Sequence, residues 1–191
     1  MDLFSPLASE AVVHNIELYT SRFFVQGTIS GPFKRTTDLM NRSEPSFLLV
    51  RDAAITPLGQ AEPKKLSTPI MVRRSQVQFA AIAPQDTSTQ TLSKTMAGGQ
   101  REYAVRKVPH GCYALTNIFV IRGFCHLLEG STLDNFLESP DLFMPMTGAN
   151  IYLVSRPAIS WTRDLVIVNK GYIEVIYLSE GTEHAKAPTT G

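Results

Sequence analysis

The sequence predicts a mainly β protein built from two tandem copies of one small unit. Identical residues recur at a constant offset, since 123 − 27 = 96 for Gly123 and Gly27, and 134 − 38 = 96 for Asp134 and Asp38. Both halves also contain runs rich in β-branched and aromatic residues, with turn-forming residues between them. Further identical pairs in the same ungapped register are His14 and His110, Thr20 and Thr116, Phe23 and Phe119, Thr36 and Thr132, Ser43 and Ser139, Phe47 and Phe143, Ala53 and Ala149, and Ile55 and Ile151.

The first copy begins with two predicted strands, Val12–Tyr19 and Arg22–Ser30, joined by a tight turn at Thr20-Ser21. A short helix is expected from Thr36 to Asn41. In this helix, Thr36 caps the N-terminus and Asp38 lies in the first turn, where the helix dipole favours a carboxylate.

Two more strands complete the predicted first copy. One runs from Phe47 to about Ile55, and a proline- and glycine-rich loop containing Lys64-Lys65 follows it. The other is expected over Ile70–Ile82, where apolar residues alternate with polar ones in the period of a half-buried strand.

The second copy repeats this order of elements. We therefore predict a first β unit at residues 1–83, a linker at 84–101, a second β unit at 102–179 and a flexible tail at 180–191. Its predicted elements are strands at Val105–Thr116, Ile118–Leu128, Phe143–Val154 and Leu165–Leu178, with a short helix near Thr132–Leu137.

About four strands and one short helix per unit favour a small, partly open barrel or sandwich. Such a unit buries little apolar surface alone, so we expect the two copies to pack with pseudo-twofold symmetry, as in a fused homodimer.

Composition limits the classes of protein to which this chain can belong. Of its 191 residues, 43% are hydrophobic and 18% are charged, which is typical of a folded chain rather than a disordered one. The net charge of +1 provides no general attraction to nucleic acid or anionic lipid. No apolar run approaches the roughly 20 residues that span a bilayer, and no secretory signal is recognisable, so we expect a cytoplasmic protein.

One segment of the first copy resembles a known family. Arg35, Asp38, Leu39 and Asn41 form an Arg-x-x-Asp-Leu-x-Asn helix, and the Phe-Leu strand at Phe47–Ile55 contains Asp-Ala. This combination is similar to a bacterial family of small β-domains of unknown function. The resemblance implies a fold and no chemistry. The second copy departs from it, with Ser131, Leu137 and Gly148 at the positions of Arg35, Asn41 and Asp52.

The two cysteines raise the question of a metal site. Cys112 and Cys125 lie near His110 and His126, but their spacing is not a common zinc pattern. The repeat places Cys112 at the position of Ile16 and Cys125 at that of Ile29. We therefore interpret both as buried free thiols and predict no metal and no cofactor.

Two matched pairs remain as candidates for chemistry. His14 and His110 are either symmetry-related ligand contacts or strand-start imidazoles bonded to a nearby carbonyl. Asp38 and Asp134 are either a carboxylate pair for acid–base work or helix-start residues, and we favour the second interpretation. No nucleophile motif, phosphate loop or dinucleotide fingerprint is present, so we do not expect an enzyme.

Three functions remain open after these exclusions. Apolar residues on consecutive positions, as in Ile118–Ile121 and Leu142–Met146, predict strands that are buried on both faces or against another chain. We therefore favour a non-catalytic interaction or scaffold module that self-associates or binds a protein partner.

The alternatives are binding of single-stranded nucleic acid by the first unit and small-molecule sensing between the units. Residues 1–82 carry nine basic and seven acidic side chains, and Phe23, Phe24 and Phe33 offer stacking faces. The candidate binding residues are Lys34, Arg35, Asn41, Arg73 and Arg74, together with His14 and His110.

Overall fold

A computed structural model describes residues 11–60, 62–83 and 106–179. The described chain is mainly β, with antiparallel strand pairing and two short α-helices. It divides into two compact units, residues 1–83 and residues 84–191. The predicted linker and the predicted tail lie outside the described residues.

The first unit is an antiparallel path of strands in the order β6-β1-β2-β3, with β4 and β5 both paired to β3. Each half of β3 has its own outer neighbour, since Phe47–Val50 pair with β5 while Ala54 and Ile55 pair with β4. The elements are β1 (Val12–Tyr19), β2 (Phe23–Gly31), α1 (Thr36–Asn41), β3 (Phe47–Pro57), β4 (Lys64–Lys65), β5 (Ile70–Arg73), a 3₁₀ helix (Arg74–Gln76) and β6 (Phe79–Ile82).

The second unit follows the same path, in the order β11-β7-β8-β9-β10. Here one long strand, β10, pairs along all of β9 and takes the place of the two short strands β4 and β5. The elements are β7 (Lys107–Leu115), β8 (Phe119–Leu128), α2 (Leu133–Leu137), β9 (Phe143–Leu153), β10 (Arg156–Asn169), a 3₁₀ helix (Lys170–Tyr172) and β11 (Val175–Leu178).

Both units contain the same irregularity in strand register. The β2–β3 pairing shifts by one residue between Gln26 and Thr28, and the β8–β9 pairing shifts between Arg122 and Phe124, 96 positions later. The extra residue has a positive φ in each case, 50° at Asp52 and 57° at Gly148. A bulge of this kind bends the strand and increases its twist.

A glycine faces each bulge because the two backbones approach closely there. A Cβ built on Gly27 would lie 2.6 Å from the carbonyl oxygen of Arg51, and one on Gly123 would lie 2.9 Å from that of Thr147. No side chain fits at such distances unless the backbone moves. The matched glycines of the sequence are therefore required by the bulge geometry.

The turn between the first two strands is also built alike in both units. The Thr20 hydroxyl accepts a hydrogen bond from the amide of Phe23 at 2.9 Å, and Thr116 accepts one from Phe119 at the same distance. A threonine at this position closes the turn through its side chain. This explains why Thr20 and Thr116 match in the sequence.

Aliphatic and aromatic side chains form the core of each unit. Ile16, Leu18, Met40 and Phe79 are fully buried in the first unit, and the Tyr19 ring stacks on Phe79 with centroids 4.1 Å apart. The second unit buries residues of the same type, including Phe119, Ile121, Phe143, Ile151 and Ile167.

The structure differs from the predicted elements in four places. The strand expected over Leu165–Leu178 is broken by the 3₁₀ helix Lys170–Tyr172. Lys64-Lys65, expected in a loop, form the short strand β4. The strand expected over Ile70–Ile82 is broken by the 3₁₀ helix Arg74–Gln76, and both Val77 and Gln78 are buried, so no alternating face exists there. The first half of β10, from Arg156 to Asp164, has no predicted counterpart. Closure of each unit into a barrel or sandwich stays a prediction, because the described strands of each unit form an open path.

We expect Gly123→Ala to destabilise the protein by about 1–3 kcal/mol, because the added methyl group forces the β8–β9 backbones apart. Urea denaturation measures this loss, and Gly27→Ala should give a loss of similar size. The control is Gln26→Ala, an exposed neighbour on the same strand, for which we expect less than about 0.5 kcal/mol. Equal stability of all three variants would contradict the close-approach argument.

Candidate functional site

An open groove of about 540 Å³ lies on the first unit. Its volume is within the range of binding clefts in proteins. Apolar side chains form most of its surface, while Arg22 and Arg73 are its two charged residues. The other residues that line it are Thr20, Ser21, Phe23, Val25, Ile55, Ile70, Met71, Val72 and Gln76. We call this feature the β5 groove, because all four residues of β5 line it.

Exposed apolar side chains accompany the β5 groove. Met71 is 58% exposed and Phe23 is 44% exposed, and Leu49, opposite Met71 on β3, is 41% exposed. Side chains this apolar seldom cluster on a surface that remains in water. The groove is therefore the part of the first unit best suited to contact a partner or ligand.

The second unit buries most of the residues that correspond to the β5 groove. The counterparts of Ile70, Met71 and Val72 are Val166, Ile167 and Val168, all fully buried. The counterpart of Phe23 is Phe119, which is also fully buried and contacts the ring of Trp161 edge-on at 6.3 Å. Ile55 of β3 and Ile151 of β9 are counterparts. The residue that pairs with Ile55 is Lys64 of β4, whereas the residue that pairs with Ile151 is Trp161 of β10.

Strand β11 shows the opposite contrast. Val175 and Tyr177 are 52% and 46% exposed, whereas their counterparts in β6, Phe79 and Ala81, are fully buried. Among the described strands, β11 pairs only with β7, so its other edge is unpaired. An apolar strand with a free edge can pair with another strand.

Tyr177 belongs to a row of side chains across three strands. It lies opposite Tyr113 of β7, which lies opposite Arg122 of β8. The two tyrosine rings stack with centroids 4.9 Å apart, and the Arg122 guanidinium lies 5.6 Å from the Tyr113 centroid. This contact holds the Tyr177 ring in a fixed position on the exposed face.

His14 has two structural hydrogen bonds. Its Nε2 lies 2.8 Å from the carbonyl oxygen of Phe33, and its Nδ1 lies 3.0 Å from the hydroxyl of Thr36. Because a carbonyl only accepts, Nε2 donates to Phe33, and a neutral ring then accepts from Thr36 at Nδ1. The buried imidazole thus joins β1 to the start of α1, as the structural interpretation of this histidine predicts.

The sequence predicted that Thr36 caps α1, and this prediction is wrong. The N-cap residue is Arg35, which makes no side-chain capping hydrogen bond. In the second unit, Thr132 does cap α2, since its hydroxyl accepts a hydrogen bond from the amide of Asn135. Matched threonines thus have different partners, and His110, half-buried, is not the structural equivalent of His14.

Arg74 is buried, in contrast to its neighbour Arg73. Its Nη1 donates to the carbonyl oxygen of Met40 in α1 at 3.3 Å, while its buried Nε has no hydrogen-bond partner among the described residues. Burial, followed by repulsion from Arg42, lowers the pKa of Arg74. The counterpart Lys170 donates to the carbonyl oxygens of Leu137 and Ser139, so a basic residue supports the helix in both units.

The remaining predicted binding residues lie at the surface or near it. Lys34 and Arg35 are exposed at the start of α1, and Asn41 is half-buried at its end. Arg73 is exposed, with its guanidinium 5.2 Å from the centroid of the Phe47 ring. Of the seven predicted residues, only Arg73 lines the β5 groove.

The candidate acid–base and thiol groups have structural surroundings. Asp38 and Asp134 are exposed in the first turns of α1 and α2, where the helix-start interpretation places them. Cys112 and Cys125 are buried free thiols. A hydrogen bond with Cys125, together with burial, raises the pKa of the Cys112 thiol, which therefore stays protonated at neutral pH.

Within residues 11–60, 62–83 and 106–179, no cluster of three or more histidine, cysteine, aspartate or glutamate side chains is arranged to hold a metal ion. No described helix has both the length and the apolar character needed to cross a membrane.

Comparisons of the chain with protein-family models, curated proteins and solved structures found no match. The resemblance of the first copy to a bacterial family of small β-domains therefore stays a prediction.

The sequence did not predict most residues of the β5 groove, and the reason is physical. Phe23, Met71 and Val72 are apolar residues in strands, and such residues are expected in the core. The available signal lay in the two prolines of this region: Pro63 directly precedes β4 and Pro69 directly precedes β5, where the second unit has one continuous strand.

We expect His14→Ala to destabilise the protein by about 1–3 kcal/mol, because it leaves the buried Phe33 carbonyl and Thr36 hydroxyl without their partner. The matched control is His110→Ala, for which we expect less than about 1 kcal/mol because this side chain is only half-buried. Urea denaturation compares the two variants. Equal losses would contradict the structural role of His14.

Proposed function

We propose that this protein is a non-catalytic interaction module of the bacterial cytoplasm that acts by self-association. The observation that carries the proposal is the exposure of apolar strands on both units. The β5 groove and β11 present Met71, Val175 and Tyr177 to solvent, although counterparts of these residues are buried within the same chain. Surfaces of this kind are typical of contacts between protein chains.

Duplication of an ancestral unit supports the proposal. The β1–β2 and β7–β8 pairings have the same register. Val12 pairs with Gly31, and Lys107 pairs with Leu128, so that the counterparts of Val12 and Gly31 form the next pair, Val108 with Leu127. The bulges and the 3₁₀ helices also recur 96 positions apart. We infer that two copies of one self-associating unit became joined in a single chain.

A non-catalytic role fits the surroundings of the polar groups. His14 and Arg74 hydrogen-bond to main-chain carbonyls, and Asp38 lies at a helix start. The β5 groove contains two arginines and the hydroxyl groups of Thr20 and Ser21, but no acidic, histidine or cysteine side chain lines it. A serine or threonine nucleophile needs a neighbouring base, and the lining residues supply none, so the groove is better equipped to bind than to react.

The two alternatives have less support. Sensing of a small molecule through His14 and His110 would use a side chain that already has two partners. Binding of nucleic acid by the first unit retains eight exposed basic residues, but loses the buried Arg74. The exposed set is Arg22, Lys34, Arg35, Arg42, Arg51, Lys64, Lys65 and Arg73.

We expect the purified protein to form assemblies larger than one chain. Association buries the exposed apolar strands, so the mass measured by light scattering should rise with protein concentration until it reaches a plateau. Analytical ultracentrifugation provides an independent measurement. A single-chain mass at every concentration up to the millimolar range would overturn the proposal.

For the nucleic-acid alternative, we expect no binding of a labelled single-stranded oligonucleotide at about 50 mM salt, as measured by fluorescence anisotropy. The first unit presents exposed charges but no row of unoccupied aromatic rings, since Arg73 covers Phe47 and Arg42 lies over Phe33. Binding that weakens steeply with salt, and that is lost on changing Lys64→Glu and Lys65→Glu together, would instead favour the alternative.

A further inference from the structure

We propose that copies of this chain join head to tail, with β11 of one copy adding as a strand along the β5 groove of the next. This inference rests on the proposed self-association and names its two contact surfaces. The second copy is the occupant of the groove, and the contact is heterologous, because different surfaces of the two copies meet.

Strands β5 and β11 expose apolar side chains whose counterparts in the other unit are buried. The chain contains two strands of the β5 type and two of the β6 type. One of each type is buried, namely Val166–Asn169 of β10 and Phe79–Ala81 of β6. The other two, β5 and β11, expose apolar side chains. A contact between β5 and β11 of different copies gives both exposed strands the burial that their counterparts already have.

The β5 groove runs along β5. All four residues of β5 line it, although neighbouring side chains of a strand point to opposite faces. The groove must therefore follow the edge of the strand. Among the described strands, β5 pairs only with β3, and β11 only with β7. Each is four residues long, so one edge can satisfy the amide and carbonyl groups of the other.

The β5 groove and β11 are complementary in charge and polarity. Arg22 and Arg73 are the charged residues of the groove, and no acidic residue lines it. Strand β11 is preceded by the exposed Glu174, and its exposed side chains are the apolar Val175 and Tyr177. An acidic residue at the end of an apolar strand complements an apolar groove with arginines at its rim.

Head-to-tail contacts have a consequence that symmetric contacts lack. After two copies join, the complex still has one free β5 groove and one free β11. Addition therefore continues until a ring closes or a filament forms. A β11–β11 contact would stop at the dimer and would leave every groove empty.

The test uses two variants of the full chain, each with one surface blocked. The β11 variant carries Val175→Arg and Tyr177→Arg, which places positive charge opposite Arg22 and Arg73. The groove variant carries Phe23→Lys and Met71→Lys, so that the two blocked surfaces have charges of the same sign and repel each other. A control variant, Leu128→Lys with Val154→Lys, also removes two exposed apolar side chains of the second unit without touching β11. Circular dichroism and thermal unfolding verify the fold of each.

We expect each blocked variant to be a single chain by light scattering, at concentrations at which the wild type and the control variant form assemblies. An equimolar mixture of the two blocked variants should form a 1:1 complex, because the first keeps its groove and the second keeps its β11. The complex should not grow further, because its remaining groove and its remaining β11 are both blocked.

A milder pair of changes tests the same contact if a blocked variant fails to fold. Arg73→Glu alone should weaken association at least about tenfold, and adding Glu174→Arg in the same chain should restore most of the loss. Restoration requires that the two positions meet between copies.

The outcomes separate the two proposals. A wild type that is always a single chain overturns self-association and, with it, the docking inference. Assemblies that persist in both blocked variants overturn only the docking inference. Self-association of the groove variant alone, through its intact β11, shows a symmetric contact and likewise overturns the head-to-tail arrangement.

Discussion

The fold of each unit depends on a bulge in its third strand, where the backbone of the second strand approaches so closely that only glycine fits. In the first unit the bulge at Asp52 faces Gly27, and it separates Phe47–Val50, which pair with β5, from the half of β3 that pairs with β2. In the second unit the bulge at Gly148 faces Gly123, and β9 pairs with β10 on both sides of it. A bulge bends its strand and increases the local twist, so the same constraint shapes both units.

The difference between the units follows from what happens beyond that bend. In the second unit, β10 is continuous and buries Val166–Asn169. In the first unit, pairing with β3 stops after Lys65 and resumes only at Ile70, beyond Pro69. Among the described strands, the edge of β5 that faces away from β3 has no partner strand. One set of positions is thus interior in one unit and partly exposed in the other, with little change in the pattern of apolar residues.

Sequence reasoning was most effective where local chemistry determines structure. Both ends of β1 were predicted to the residue, because β-branched runs and turn residues define them. Burial of the two cysteines was also predicted, from their aliphatic counterparts. The opposite environments of Arg73 and Arg74 were missed, because the 3₁₀ helix starting at Arg74 turns that side chain beneath α1. The groove was missed because exposure of an apolar strand depends on its neighbours, which the pattern of residues does not encode.

Trp161 gives the second unit a property that the first does not have. It is the single tryptophan of the chain, and its ring meets Phe119 edge-on inside the second unit. Tryptophan fluorescence therefore reports the local environment of that unit alone, whereas backbone circular dichroism reports both. When the two signals change at the same denaturant concentration, the units unfold as one cooperative body. When they change at different denaturant concentrations, the difference shows how far the stability of the second unit departs from that of the whole chain.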